Sequence, residues 1–531
     1  MRISYDVEAE IFPVMRQESE RPQMRYGFVI DQDRCIGCHA CTVACKEEHQ
    51  VPVGVFRTWV KHIEKGEFPH SSRHFGVMRC NHCDDSPCTE ICPTSALYQR
   101  TDGIVDFDNR RCIGCKACMQ ACPYDALYID PNYNTAAKCN FCAHRVEMRL
   151  EPACVIVCPT QAILAGDLDN PGSKVSRVVA TQKVSVRKPQ KGTLPKLFYV
   201  GVEGDLLEPT RLSREDTYLW SDRREQYAGA SANGGMNLAG ALAREVYDVP
   251  HPAPWGWKIA AYLWSKAVAA GALLVAAVLL TLAGQTASTL FNIVCPSVAL
   301  IGLAVTSALL VFDLKRPDRF FYLITKPNFR SWLVIGTYFL IGYGGFGFAW
   351  LLFGVFSGSV PVFVQWLAAA FAIASACYSA FLFAQAKGRD LWQSPLFLWH
   401  LLVQAFVAGS STILIMGILT DPTAGVPKPA ILILLISLIV SLAMNMGEIA
   451  LPHISEDVRI ATRVLIHGRL SRRFWGLVIG VGLIAPIILA ALAMLSSAPI
   501  ALAIIAAVLA LAGLWWFEEL WVKAGQSVPL S

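Results

Sequence analysis

The chain has 531 residues, 54 % of them hydrophobic, and a formal net charge of +5. That length exceeds one ordinary domain, and with a mean hydropathy of +0.41 the chain is too apolar for a soluble protein of this size. The charge is modest and no basic run is interleaved with aromatics, which excludes nucleic acid as a partner.

Residues 1–27 read as an N-terminal tail. Its opening, MRISYDVEAEIFPVM, carries acids and no apolar core, so neither a secretory nor a twin-arginine signal is read there. The thiols that follow are therefore expected in a reducing compartment.

Sixteen of the eighteen cysteines fall in four groups before residue 160. The first is Cys35, Cys38, Cys41 and Cys45; the third is Cys112, Cys115, Cys118 and Cys122, followed by Pro123. Both follow the bacterial ferredoxin run C-x2-C-x2-C-x3-C, in which three thiolates wrap one corner of a cubane and the fourth reaches a neighbouring cluster. Cys80, Cys83, Cys88 and Cys92, before Pro93, are a variant of it. Cys139, Cys142, Cys154 and Cys158, before Pro159, keep the outer spacings and open the middle one to an eleven-residue loop. The count gives four ligands for each of four [4Fe–4S] clusters. Zinc sites use two separated C-x2-C pairs, whereas four cysteines within eleven residues crowd a single tetrahedral ion. Residues 28–165 are thus expected to form an α+β, ferredoxin-like domain.

Residues 166–257 read as a connector: a strand-poor tail wrapping the cluster domain, then a flexible ASANGGMN link. Pro250, Pro252 and Pro254 stop any helix, and Trp255 and Trp257 stand where an interfacial aromatic belt is expected. From residue 258 to 531 the chain reads as an all-α polytopic bundle. Eight stretches reach the roughly 20 apolar residues a spanning helix needs, near 259–283, 292–312, 332–354, 364–384, 395–419, 428–449, 475–495 and 499–521. Loops after the second, fourth and sixth hold the basic residues, among them Lys315, Arg316, Arg319, Lys387, Arg389 and Arg459, while those on the other side hold only Lys428. This bias places both termini and the cluster domain in the cytoplasm.

Ionisable groups at membrane depth are costly and therefore informative. Asp313 and Arg316 at the end of the second span, His400 and Gln404 one turn apart on the fifth, and Glu448 near the end of the sixth are candidates for binding quinone carbonyls or moving protons. Each has a structural alternative: Asp313 pairing with Arg316 to lock a loop, and Glu448 sitting at the interface beside His453. Tyr343 and Trp392 read as interfacial anchors, Cys295 and Cys377 as small core residues, and the glycines of GTYFLIGYGGFGF as helix-packing sites. Only His400 is well placed for an axial ligand, so no haem is expected. No substrate-transforming site is recognisable, and no catalytic residue is assigned.

The stretch from Phe28 to Asp169, with DRCIGCHACTVACK, MRCNHCDDSPCTEICPTSAL, RRCIGCKACMQACPYDAL and CNFCAHRV, resembles the four-cluster electron-transfer subunit of the complex iron–sulfur molybdoenzymes. FDLKRPDRFFYLITKPNFRSW and FLFAQAKGRDLWQSP resemble the NrfD/PsrC family, the membrane anchor of polysulfide reductase-like enzymes. The resemblance implies crossed ligation: Cys35, Cys38, Cys41 with Cys158, and Cys139, Cys142, Cys154 with Cys45, as one pair facing a catalytic partner. Cys80, Cys83, Cys88 with Cys122, and Cys112, Cys115, Cys118 with Cys92, form the pair facing the membrane. It further implies a cytoplasmic molybdenum or tungsten pterin subunit as partner, quinone as the lipid-soluble carrier, and a bacterial-type inner membrane. The two families usually supply separate subunits, so their fusion is a departure. Two other readings stand beside this one: a redox-linked ion-translocating module, and a membrane-tethered polyferredoxin without a quinone site.

Overall fold

A computed structural model describes residues 24–66, 69–214, 243–420, 428–450, 455–496 and 499–531. The tail up to residue 23, the ASANGGMN link and His453 lie outside the described residues.

The cluster domain is built on a repeat. After Cys92-Pro93 the chain forms the hairpin of β4 (Leu97–Gln99) and β5 (Val105–Phe107); after Cys122-Pro123 it forms that of β6 (Leu127–Asp130) and β7 (Thr135–Lys138). The loops repeat too. Gly37 and Gly114 have φ of 68° and 70°, and two residues on His39 and Lys116 have φ of 62° and 63°. A side chain in this left-handed region is uncommon, and its recurrence at matching places in C-x2-C-x2-C shows the backbone curling the same way to aim three sulfurs inward.

Two sheets flank the repeat. Strand β1 (Tyr26–Asp31) pairs antiparallel with β8 (Ile163–Asp167) and parallel with β10 (Leu197–Val200), which in turn carries β9 (Val184–Ser185). The second sheet runs in the order β11 (Leu212–Arg214), β12 (Ala243–Tyr247), β2 (Thr58–Lys65), β3 (Ser72–Arg79). Residues 166–257 are therefore not a strand-poor wrapping: the short apolar run Leu197–Val200 is an inner strand of the first sheet, and β12 an inner strand of the second. Leu197 and Tyr199 point into the core and are fully buried, which is the work that run does.

Among the described residues, eight helices are long and apolar enough to cross a membrane: Trp257–Thr281, Leu290–Asp313, Trp332–Ser357, Val362–Ala384, Leu396–Thr420, Lys428–Ala450, Ser471–Leu495 and Ile500–Gly525. The first is central, packing on the second, fourth, fifth and eighth. Gly271 of the first and Gly409 of the fifth meet backbone to backbone, an approach that no larger side chain permits. Ile301, Phe312, Phe348 and Phe356 face outward, as lipid contact requires. In the third span Gly336 lies against the Tyr378 ring and Gly342 against Phe371, so these glycines serve packing. Cys295 and Cys377 are buried core residues. Tyr343 is no interfacial anchor: it is buried and its hydroxyl donates to the Ala269 carbonyl at 2.5 Å.

The cluster domain sits directly on the bundle. Lys116 and Asp313 form an ion pair of 2.7 Å. Arg319 donates to the Asn109 and Cys112 carbonyls, Asn328 to the Cys92 carbonyl, and Ser331 to that of Ile91. Arg187 donates to the Leu530 carbonyl at 2.9 Å, so the chain's last residues are part of the joint. Trp255 departs from the belt expectation: it is buried in this joint, stacked on Trp392 at 5.3 Å, while Trp257 is exposed. Trp392 is likewise fully buried rather than an interfacial anchor.

Beside it, His251 contacts Asp125 at 2.6 Å and Asp248 at 3.4 Å. Burial opposes its charged form, but the two carboxylates outweigh it and raise its pKa to about 10. With an unfolded value near 6.5, this stabilisation is complete below about pH 6.5 and lost as pH rises through about 10. The thermal midpoint of the detergent-solubilised protein is expected to fall over that window, and His251→Gln to be less stable at pH 6.5 and to lose that slope.

Candidate metal centres and membrane cavity

The sulfurs converge in crossed sets. Cys35, Cys38, Cys41 and Cys158 line one small cavity, and Cys92, Cys112, Cys115 and Cys118 another. Cys45 is in electrostatic contact with Cys139, Cys142 and Cys154, and Cys122 with Cys80, Cys83 and Cys88. Burial pushes the Cys41 thiol up to about 11 and those of Cys115 and Cys142 to about 12. Free thiolates so packed would be untenable; metal charge is what makes such a donor set stable. Backbone amides already point at the sulfurs: Gly114 and Ala136 donate to Cys112 Sγ at 3.4 and 3.3 Å, and Ala162 to Cys158 Sγ at 3.2 Å. The residues thus fit iron–sulfur clusters, which supply one-electron redox chemistry when bound.

Arg79 is a feature the cysteine pattern did not announce. It is fully buried, its Nη1 donates to Cys154 Sγ at 3.1 Å, and its guanidinium lies over the Phe28 ring. Nε and Nη2 have no hydrogen-bond partner, and Cys154, Cys139 and Cys41 are the opposing charges it meets. Its position wedges a permanent cation between the two sulfur sets of the first pair. His49 Nε2 lies 3.1 Å from Cys142 Sγ. Burial, aided by Arg57 and His144, holds its pKa down to about 4, so the ring is neutral at pH 7.

On the membrane side, a cavity of about 730 Å³ opens between the fifth, sixth and eighth spans at the end that carries the cluster domain. Its walls include Ser394, Asn445, Glu448, Phe517 and Trp521, with Lys191 and Asp390 at the rim. Lys191 donates to Asp390 and Ser455 Oγ donates to Asp390 at 2.8 Å, fixing that rim. Glu448 accepts from Ser394 Oγ at 2.8 Å and lies 3.3 Å from His400 Nε2, out of hydrogen-bond alignment. His400 is buried and stacks on Phe517 at 5.6 Å. Of the five candidates, then, Glu448 lines the cavity, with His400 directly behind it and Gln404 one turn deeper.

Asp313 and Arg316 are elsewhere. Asp313 pairs with Lys116, not with Arg316, and Arg316 instead pairs with Asp318 at 2.8 Å. The sequence spacing that suggested their pairing is overridden by docking, because Arg316 turns toward the Tyr133 carbonyl.

An aromatic trail joins the two sites. Trp255 Nε1 donates to the Cys115 carbonyl at 3.4 Å, its ring stacks on Trp392, and Trp392 Nε1 donates to the carbonyl of Trp521, a cavity wall.

The family model described as Polysulphide reductase, NrfD matches residues 245–529, more than half of the chain. This protein belongs to the NrfD family. Ahead of its NrfD region, two 4Fe-4S dicluster domain models match residues 34–97 and 73–168. A tetrathionate reductase subunit of Salmonella typhimurium is 42% identical over 216 residues, 40% of this chain and 86% of that protein. A component of the polysulfide reductase of Wolinella succinogenes is 42% identical over 181 residues, 33% of this chain and 94% of its own length. Protein NrfC of Escherichia coli is 42% identical over 180 residues, 33% and 81% respectively. The protein is an iron–sulfur electron-transfer subunit fused to an NrfD membrane anchor, similar in its first part to subunits of multi-subunit reductases.

Lys266 and Glu518, both buried inside NrfD spans, were missed by the sequence reading, although a Lys in AYLWSKAVAA and an acid pair in LWWFEEL are visible interruptions of apolar runs.

Replacing Arg79 by Leu is expected to lower the reduced-to-oxidised ratio of a first-pair centre about tenfold or more at fixed poise, ~59 mV for one electron. Arg79→Lys should keep most of the wild-type value. EPR-monitored redox titration at matched iron content reads both.

Proposed function

We propose that the chain holds four [4Fe–4S] clusters in the crossed sets described above and passes electrons between quinone in the membrane cavity and a molybdenum or tungsten pterin subunit. The observation that carries this reading is the cavity. Its volume lies within the roughly 300–1,000 Å³ range of small-molecule sites. It is apolar with a few convergent polar groups, Ser394, Asn445 and Glu448, which can bond a ring oxygen or exchange a proton with it. Trp521 in its wall is two rings from the backbone of Cys115, so the lipid-side carrier and the wire end at the same place.

The opposite end of the domain favours a protein partner. Cys38 is exposed, and Ile36, Val43, Met148, Leu150, Ile156 and Val157 expose apolar side chains on the first and fourth cysteine segments. An apolar patch around an exposed ligand suits a docking site through which electrons enter or leave. The relatives' names, which refer to a tetrathionate reductase and a polysulfide reductase, agree with a catalytic partner.

The cytoplasmic placement rests on charge. Lys116, Asn109, Cys112 and Gln120 of the cluster domain contact the second span and the loops that hold Arg319 and Arg389, and basic loops stay on the cytoplasmic side. On this reading the cluster domain and both termini lie on the cytoplasmic face of a bacterial-type inner membrane.

The purified protein, reduced with dithionite, is expected to show about 16 iron atoms per chain and rapid loss of its EPR signal on adding a soluble quinone analogue. Glu448→Gln should slow that reoxidation about tenfold or more, a loss of ~1.4 kcal/mol in transition-state stabilisation, at unchanged iron content. Full cluster content with no reoxidation would remove the quinone site from this chain and leave a tethered polyferredoxin.

A further inference from the structure

Behind the cavity wall lie two ionisable residues that electron transfer does not require. Lys266 of the first span and Glu518 of the eighth are both buried, about 14 and 10 Å along their helices from the cluster-domain end at 1.5 Å per residue. Lys266 Nζ donates to the Ala376 carbonyl at 2.9 Å and to Ser379 Oγ at 2.5 Å, with the Tyr378 and Tyr262 rings over it. Tyr262 and Ser379 are hydrogen-bonded at 3.1 Å. Neither carboxylate oxygen of Glu518 has an aligned hydrogen-bond partner; Lys266 is the cation facing it, and the Gln404 side chain approaches it.

These residues connect to the cavity. Phe517, next to Glu518, stacks on His400, and Gln404 is one helical turn from His400. Among the described residues, four buried polar atoms, His400 Nε2, Gln404 Oε1 and both Glu518 oxygens, lack a well-aligned hydrogen-bond partner, Gln404 approaching Glu518, and they lie where the fifth and eighth spans pack together. A buried water needs two to four polar neighbours, and these atoms supply them. Intramembrane ionisable groups are expensive, and a pair kept only for packing is replaceable by apolar residues of like volume.

We propose that Glu518 and Lys266 form a proton-exchange site serving the quinone cavity, filled and emptied through His400. This rests on the quinone reading of the cavity and adds to it the origin of the second proton. Reduction of one quinone takes two electrons, delivered singly from the iron–sulfur centres, and two protons, one for each ring oxygen. Glu448, open to the rim, passes in one proton from solvent. The second leaves the Glu518 carboxyl: its O–H bond breaks, the proton crosses bound water to His400, and His400 releases a proton toward the second ring oxygen. The Glu518 carboxylate that remains is balanced by the Lys266 ammonium, which Ser379 and the Ala376 carbonyl hold in place. A proton entering from the rim by the same route then restores the carboxyl. Quinol oxidation runs these transfers in reverse, with two electrons leaving to the iron–sulfur centres.

The test is redox-difference infrared spectroscopy on the full-length, cluster-loaded protein with a soluble quinone analogue, alongside the rate of EPR-detected reoxidation. Wild type should show a carboxyl C=O band that changes on turnover and disappears in Glu518→Gln. Glu518→Gln and Lys266→Met should each slow reoxidation at least tenfold at unchanged iron content, with an enlarged H2O/D2O rate ratio. The double variant, which leaves no buried charge unpaired, should recover thermal stability without recovering the rate. If the double variant reoxidises at the wild-type rate, or if the band persists in Glu518→Gln, the pair is structural and the proposal falls. Wild-type protein that is not reoxidised at all would overturn the quinone reading itself, which is a separate outcome.

Discussion

The ion pair between Lys116 and Asp313 sits where the two halves of the molecule become one. Lys116 stands between Cys115 and Cys118, in the left-handed turn that aims those sulfurs, so the loop that shapes a metal centre also anchors the domain to the second span. Electron transfer falls steeply with distance, and a carrier on a mobile domain would not serve a fixed cavity. Here the carbonyls of Ile91, Cys92 and Cys112 are all bound by residues of one short segment, 319–331. Holding the centre and docking the domain are therefore one structural problem with one solution.

The cavity follows from the same joint. Part of its rim is formed by Lys191 from the cluster domain and Asp390 from the loop after the fourth span. Beside it, burial, with Arg187, Lys191 and Arg389 nearby, pulls the Lys188 pKa down to about 8. The cavity is therefore shared by the two halves, bordered by the connector on one side and by the fifth, sixth and eighth spans on the other.

The sixteen cysteines were legible because ligation imposes spacing directly on sequence: C-x2-C-x2-C is the geometry of one corner of a cubane written in residues. The eight spans were legible for an equally direct reason, since bilayer thickness fixes the length of an apolar run. The connector was not. Leu197–Val200 is four residues long and pairs with a strand more than 160 positions earlier, and no local pattern announces such a partner. Asp313 and Arg316 misled for a related reason: both lie where a membrane surface is expected, and the chain covers that surface with its own cluster domain. Lys266 and Glu518 were visible as charges in apolar runs. Their meaning appears only when packing sets the first span, far in sequence, between the fifth and the eighth.

The connector that completes both sheets also keeps the wire and the anchor on one chain. Two separate subunits would have to find each other, and their joint would need its own affinity against dilution in the bilayer. A covalent link turns that encounter into an intramolecular one. The polar joint around Gln120, Arg389, Gln526 and Trp255 can then be tuned for geometry rather than for strength. Stoichiometry is fixed as well: no copy of the anchor is made without its wire.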